Sequence, residues 1–432
     1  MRLFACPLLL LKKVLAFALT FALLPFSPAY ANHLIQGETV EAGEVHFERP
    51  DDVTFNVIQS SDQAIVNFQS FSTAAGDTVN FFQPSSSSAI LNRVLGGSAS
   101  ELFGALNANG LVAFVNPSGI VFGPSSSVNV GSLIASSLNI SNENFLSGNY
   151  SFVQPAGTLP SYVINEGTIK ASQGGSVALL GGAVENKGTI EAGLGSVALA
   201  AGEAMTLSFD KNGLISVAVN QGVRHAVLGP DGEAMKDAVR QAGRVTAPGG
   251  KIQITADQVS EVFDHLVNQQ GIVEANSAVE RNGAIELVAG SGEIRHSGTL
   301  RAAGSEENPE GGKITVISEA ATHLVPGSVI DVSGAPSGGD AGFIEVSGKT
   351  VRFGGRLLGE AAEGFRGGRL LVDPLNIIFD TSNQTAPTNN ASPTPDIAFD
   401  EDPDDDTTVQ INDIKGFDEA RFEAIEDITV DA

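Results

Sequence analysis

The 432-residue sequence has no tryptophan, one cysteine and little positive charge, with 24 Lys and Arg against 50 Asp and Glu. The cysteine, Cys6, lies in a segment with the marks of a leader. Arg2, Lys12 and Lys13 form a basic start, Val14 to Leu24 an apolar run, and Ala29-Tyr30-Ala31 a small-x-small site. This pattern predicts a secretory signal peptide over residues 1–31, with Ala29 and Ala31 as the cleavage residues. A membrane anchor is the alternative, but the run is short of the ~18 residues a span needs. The mature chain would begin at Asn32 without a cysteine, so no disulfide can staple it. A secreted chain of this length must then take its stability from a large repetitive core.

The shortage of positive charge excludes partners. The net charge of −26 becomes −29 once the three cations of the leader are removed. Such a surface repels phosphate backbones and anionic lipid, so neither nucleic acid nor a membrane surface is an expected partner. No later apolar stretch reaches spanning length. Catalytic patterns are missing too. The six histidines are scattered without an H-E-x-x-H, and no G-x-S-x-G occurs. Gly348-Lys349-Thr350 ends like a phosphate loop, but Gly342 lies one residue too far upstream. No enzyme, metal or cofactor is expected.

What the sequence has is a repeat. Asn165-Glu166-Gly167-Thr168-Ile169-Lys170-Ala171 precedes Gly175-Ser176-Val177-Ala178-Leu179. Asn186-Lys187-Gly188-Thr189-Ile190-Glu191-Ala192 then precedes Gly195-Ser196-Val197-Ala198-Leu199. Weaker copies start at Gly271, Gly298 and Gly327. Each unit holds two short strands of period-2 alternation, with Ile169 and Ala171 inward and Thr168 and Lys170 outward. Such strands cannot hold a sheet alone, but stacked copies bury one continuous column. A sandwich or barrel also uses short alternating strands, yet needs no unit recurring at one coil length. The expected fold is all-β, a parallel β-helix spanning residues 163–372.

Residues 32–162 are richer in Phe, lack the repeat, and read as a cap closing the first coil edge. Segment 233–270 reads as a helical or loop excursion, because Val259, Val262, Phe263 and Leu266 fall at helical spacing. Residues 373–432 carry 16 acids and two bases, and read as an acidic linker with an incomplete C-terminal segment. The run Asp400 to Asp406 lacks the spacing of a calcium loop and reads as solvated charge.

One stretch carries an ordered series of motifs: Asn92-Arg93-Val94-Leu95-Gly96-Gly97, Gly104-Ala105-Leu106-Asn107-Ala108-Asn109-Gly110, Asn116-Pro117-Ser118-Gly119-Ile120-Val121-Phe122-Gly123, and Gly131-Ser132-Leu133-Ile134-Ala135-Ser136-Ser137. Together they closely resemble the secretion domain of two-partner secretion exoproteins of the filamentous-haemagglutinin type. The resemblance implies a right-handed β-helix with an N-terminal cap. It also implies export through a dedicated outer-membrane β-barrel transporter, whose periplasmic domains recognise this segment. The family's N-P-N-G-I motif falls on Asn116, Pro117, Ser118, Gly119 and Ile120, with Ser118 in place of the second Asn. Those five residues, with Asn92 and Arg93, are the candidate recognition site. From the residues alone, Asn-Pro-Ser-Gly is a turn with Pro117 at its second and Gly119 at its fourth position. It either folds the cap or contacts the transporter. Arg93 either pairs with a buried acid or faces the partner.

The expected function is that of a secreted exoprotein, adhesin- or haemagglutinin-like, reaching the outside or the cell surface through the periplasm and outer membrane. A host or surface glycan or protein would be its target. The alternative is a polysaccharide-binding or polysaccharide-degrading β-helix, but Glu166, Glu191, Glu274 and Glu345 are spread along the coils rather than grouped.

Overall fold

The computed structural model describes residues 34–380 apart from Ser260 and Glu280, and residues 396–399, 407–410, 414–422 and 427–431. The leader with Ala29 and Ala31, and the run Asp400 to Asp406, lie outside the described residues. No helix among the described residues is long and apolar enough to cross a membrane.

The chain winds as a parallel β-helix with three faces. One full coil runs through Ser176–Gly181 on the first face, Ala183–Asn186 on the second and Thr189–Glu191 on the third. The next coil stacks in register on it, with Val177 on Val197, Glu185 on Arg240 and Ile190 on Val245. The inward residues Val177, Leu179, Val184 and Ile190 are fully buried in one core that runs from Ile35 to Ile414. Burial of each such side chain contributes roughly 1.5–3 kcal/mol. The alternation of the repeat thus becomes a column.

The recurring glycines have a steric cause. A Cβ on Gly175 would lie 1.9 Å from the Gly131 carbonyl oxygen, and one on Gly195 1.7 Å from that of Gly175. On the other edge, a Cβ on Gly188 would lie 2.1 Å from the Gly167 oxygen and one on Gly243 2.1 Å from that of Gly188. Two glycine spines therefore let successive coils close to strand-pairing distance.

The cap is smaller than the expected 32–162. The capping strands Ile35–Gln36, Thr39–Ala42 and Val45–Glu48 pair antiparallel, against Ser70–Phe71, Gln63–Phe68 and Thr54–Gln59. Parallel stacking starts at once, with Thr54–Gln59 on Thr78–Phe82. These early coils escaped the repeat because Phe fills them. The rings of Phe68 and Phe71 meet edge-on at 5.0 Å, and those of Phe71 and Phe114 at 4.9 Å.

Segment 233–270 is not an excursion. It contains the coil strands Asp237–Gln241, Arg244–Thr246, Lys251–Ala256 and His265–Gln269. Phe263 and Leu266 are buried in the solenoid core, whereas Val259 is 66% exposed, so their helical spacing is accidental. The true insertions follow the first-face strands Ser132–Ser136 and Ser196–Ala201. One holds the short helix Asn142–Leu146 and the strand Tyr150–Val153. The other is a hairpin, Ala204–Phe209 with Ile215–Gln221. The three strands form an antiparallel sheet. With the helix, it roofs the outward side chains of the first face, including Leu91, Val115, Ile134, Leu180 and Ala200, as a second core.

At the turn from the second face to the third, a polar ladder replaces aliphatic packing. Asn165, Asn186, Gln241, Gln269 and His296 stack in register, all fully buried. Asn165 Nδ2 donates to Asn186 Oδ1 at 2.8 Å, and Asn186 Nδ2 to Gln241 Oε1 at 2.6 Å. The ladder ends with His296 Nδ1 on Gln269 Oε1. Burial pushes the His296 imidazole down to about 4, against its ordinary 6.5, although the Val329 carbonyl opposes the shift. An unfolded His296 then binds a proton between those values that the folded one refuses. Stability is full above pH 6.5 and falls as pH drops toward 4, by about 3 kcal/mol in all. His296→Gln, which keeps an amide in the ladder, is expected to remove that part of the acid sensitivity. Urea midpoints at pH 7 and pH 5 measure it, and equal drops in both proteins would refute the assignment.

Candidate functional site

The candidate recognition residues gather where the first face turns to the second, near the capped end. Asn116 ends the strand Leu111–Val115 and is fully buried. Its Nδ2 donates to the Ser98 carbonyl at 3.0 Å and to Ser100 Oγ at 2.9 Å, tying two coils together. Its Oδ1 accepts from the Ser118 amide at 2.9 Å, and its carbonyl from the Gly119 amide at 3.0 Å. Pro117 and Ser118 sit at the two central turn positions, as the sequence indicated. Gly119 has φ +113, and a Cβ there would meet the Tyr162 ring at 2.9 Å. Both facts require glycine. Ile120 turns back into the core, fully buried. Pro117 and Ser118 are half-exposed.

Asn92 and Arg93 lie on the strand Ala89–Val94, which is buried on both sides because of the roof. Asn92 points inward on a rung between Val66 and Phe114. Its Nδ2 donates to the Ala113 carbonyl at 3.3 Å, while its Oδ1 has no partner. Arg93 points outward and is 9% exposed. Its Nε donates to Asn139 Oδ1 at 3.0 Å, Nη1 to Asn67 Oδ1 at 3.3 Å and Nη2 to the Ile140 carbonyl at 2.7 Å. Its donors go to these acceptors and not to a buried acid. It fastens the start of the first insertion to the coil. Burial holds its guanidinium below the ordinary value, and the charge of Glu41 opposes this. An arginine keeps its proton regardless.

The structure thus brings the seven residues into one region but divides their work. Asn92, Arg93, Asn116, Gly119 and Ile120 are interior, and only Pro117 and Ser118 are partly exposed. Sequence reasoning missed the roof. Its signal was present: Met205, Leu207, Ile215 and Val217 are buried while Phe209 is not, and the turn between the strands holds Asn212-Gly213, a strong hairpin dipeptide. Gly213 has φ +79. Among the described residues no group of three or more His, Cys, Asp or Glu is placed to hold a metal ion.

A capped solenoid with a roofed first face and a locked Asn-Pro-Ser-Gly turn defines a class, the β-helical N-terminal domains that carry a secretion motif. A family model described as the TPS secretion domain matches residues 32–302, and the chain belongs to that family. Its fold is similar to the crystal structure of the HMW1 secretion domain from Haemophilus influenzae, with a TM-score of 0.66 and 25% identity, covering 92% of this chain and 100% of that one. A Haemophilus influenzae heme/hemopexin-binding protein is 28% identical over 257 residues, which are 54% of this chain and 28% of that protein. A second Haemophilus influenzae protein of that name is 32% identical over 125 residues, 29% of this chain and 13% of the relative. The matches therefore span less than a third of these relatives' length. Family membership makes this chain part of a two-partner secreted exoprotein and implies a cognate transporter, with secretion across the outer membrane.

Proposed function

We propose that the Pro117-Ser118 turn is the point at which the periplasmic domains of the transporter read this chain, while the buried motif residues hold that turn in shape. The observation that carries this is the division of burial within one motif, because only a half-exposed pair on a rigid base can be contacted without unfolding. Co-expression with the cognate transporter tests it. Ser118→Lys is expected to cut the amount in the medium by tenfold or more, and to leave the urea midpoint of the refolded protein unchanged. Asn116→Ala is expected to lower both. Secretion of Ser118→Lys at the wild-type level would sink the reading.

Outside the cell, the protein acts as a non-catalytic binder of the adhesin kind, whose target is a host or surface glycan or protein. The long solenoid surface supports this over polysaccharide degradation. Release of reducing ends from a polysaccharide by the purified chain would contradict it. The relatives' names add haem and hemopexin to the possible targets of the exoprotein as a whole.

A further inference from the structure

The outer surface of the second face carries a polar pocket of about 400 Å³ that the secretion motif does not explain. It forms where strand alternation slips. Ala238 and Val239 both pack into the core, as do Leu266 and Val267 on the next rung. The slip leaves Asp237 and His265 on the outside together with Arg240 and Asn268. Asp237, 8% exposed, is the hub. Its Oδ1 meets His265 Nδ1 at 2.8 Å, and its Oδ2 accepts from Asn268 Nδ2 at 2.9 Å. Asn268, 6% exposed, has an Oδ1 without a partner. Arg240 forms the rim, donating to Glu185 Oε1 at 2.9 Å and to Gln270 Oε1 at 3.3 Å. Met235 adds the apolar part of the wall.

We infer that this pocket binds a neutral sugar unit. A solenoid gains nothing from a buried carboxylate held between an imidazole and an amide on its outer face, since apolar side chains would seal that surface better. The wall alternates fixed acceptors with fixed donors. Asp237 orients His265 so that Nε2 faces away from it, and the Arg240 guanidinium sits one rung from Asn268. Hydroxyl groups, each donor and acceptor, match such a wall. An ionic ligand does not, because Asp237, Glu185 and Asp264 stand against Arg240 and Lys236 and neither sign dominates. A porphyrin does not fit either, for it needs broad apolar walls. The volume lies in the range of small-ligand pockets, about 300–1,000 Å³. The inference rests on the glycan-binding reading above and names its site.

Saturation-transfer NMR on the purified mature chain tests it. The probes are D-glucose, D-galactose, D-mannose, N-acetylglucosamine and N-acetylgalactosamine, with N-acetylneuraminic acid and haemin as ionic and apolar controls. At least one neutral sugar is expected to give a signal that falls fivefold or more in His265→Gln and Asn268→Leu, at an unchanged urea midpoint. Arg240→Ala, at the rim, serves in place of a buried variant that fails to fold. Signals from the controls alone, from no probe, or undiminished in the variants overturn the inference. Secretion of the same variants is expected at the wild-type level, so loss of sugar binding is read separately from any failure of export.

Discussion

Gly195→Ala destabilises the solenoid by more than about 4 kcal/mol, a large effect for a single methyl group. The new Cβ would stand 1.7 Å from the Gly175 carbonyl oxygen, which belongs to backbone and cannot rotate away. Relief requires the coils to part where Ser176 to Gly181 pair with Ser196 to Ala201, a ladder that carries two of the buried aliphatic columns. The same chain supplies its control. Gly193, two residues earlier, has open space around its Cα and no positive φ. Gly193→Ala is therefore expected to be neutral or slightly stabilising, because it lowers only the entropy of the unfolded chain. Urea denaturation of the two variants side by side decides the matter. Similar midpoints would mean that the coils are not held at the spacing described.

Arg93→Met is the second large effect. Methionine fills much of the volume but donates nothing. It leaves Asn139 Oδ1 and the buried Ile140 carbonyl unpaired where the first insertion leaves the coil. Loss of charge-assisted bonds to buried acceptors costs about 3 kcal/mol. The damage should be local. The segment from Leu138 to Phe152, whose Leu138, Ile140, Phe145 and Phe152 roof the first face, is expected to exchange its amide hydrogens at least tenfold faster. The coils beyond Lys251 should keep their protection. Uniform loss of protection along the solenoid would show that Arg93 supports the whole fold and not the roof.

These two residues also show what could be read in advance. The glycine spine was legible because stacking demands the same small residue at every coil, so geometry writes itself into the sequence as a period. Arg93 was not legible in its role. Its acceptors, Asn67, Asn139 and Ile140, lie 26, 46 and 47 residues away, and no local pattern marks them. The early coils were hidden because Phe55, Phe68 and Phe114 fill the interior that Ile and Val fill later. Segment 233–270 misled for the opposite reason. Val259, Val262, Phe263 and Leu266 are spaced like a helix face, but Val223 bridges to Gln258, its amide donating to the Asp257 carbonyl and its carbonyl accepting from the Val259 amide, and holds that stretch to the coil. For the recognition motif, the turn followed from Asn-Pro-Ser-Gly, whereas the burial of all but its two central residues needed the neighbouring coils. The pocket around Asp237 left no sequence trace, since it arises from a slip in alternation that spans two rungs.

The register of the rungs bears on what happens when the protein is pulled. Hydrogen bonds between coils run along the solenoid axis, so a load on one end opens them a coil at a time and never shears many together. A coil of the length between Gly167 and Gly188, 21 residues, would release about 7 nm of chain. The step from Gly188 to Gly243 is 55 residues, because it contains the hairpin, and would release about 19 nm. The hairpin is also tied to the following coil by Gln253, whose side-chain amide both donates to and accepts from the Val217 backbone at 3.1 and 2.8 Å. This long reserve of chain is therefore fastened twice. A tethered protein built this way would yield coil by coil under tension, mostly in short lengths, with a long one held back by a second fastening where the hairpin lies.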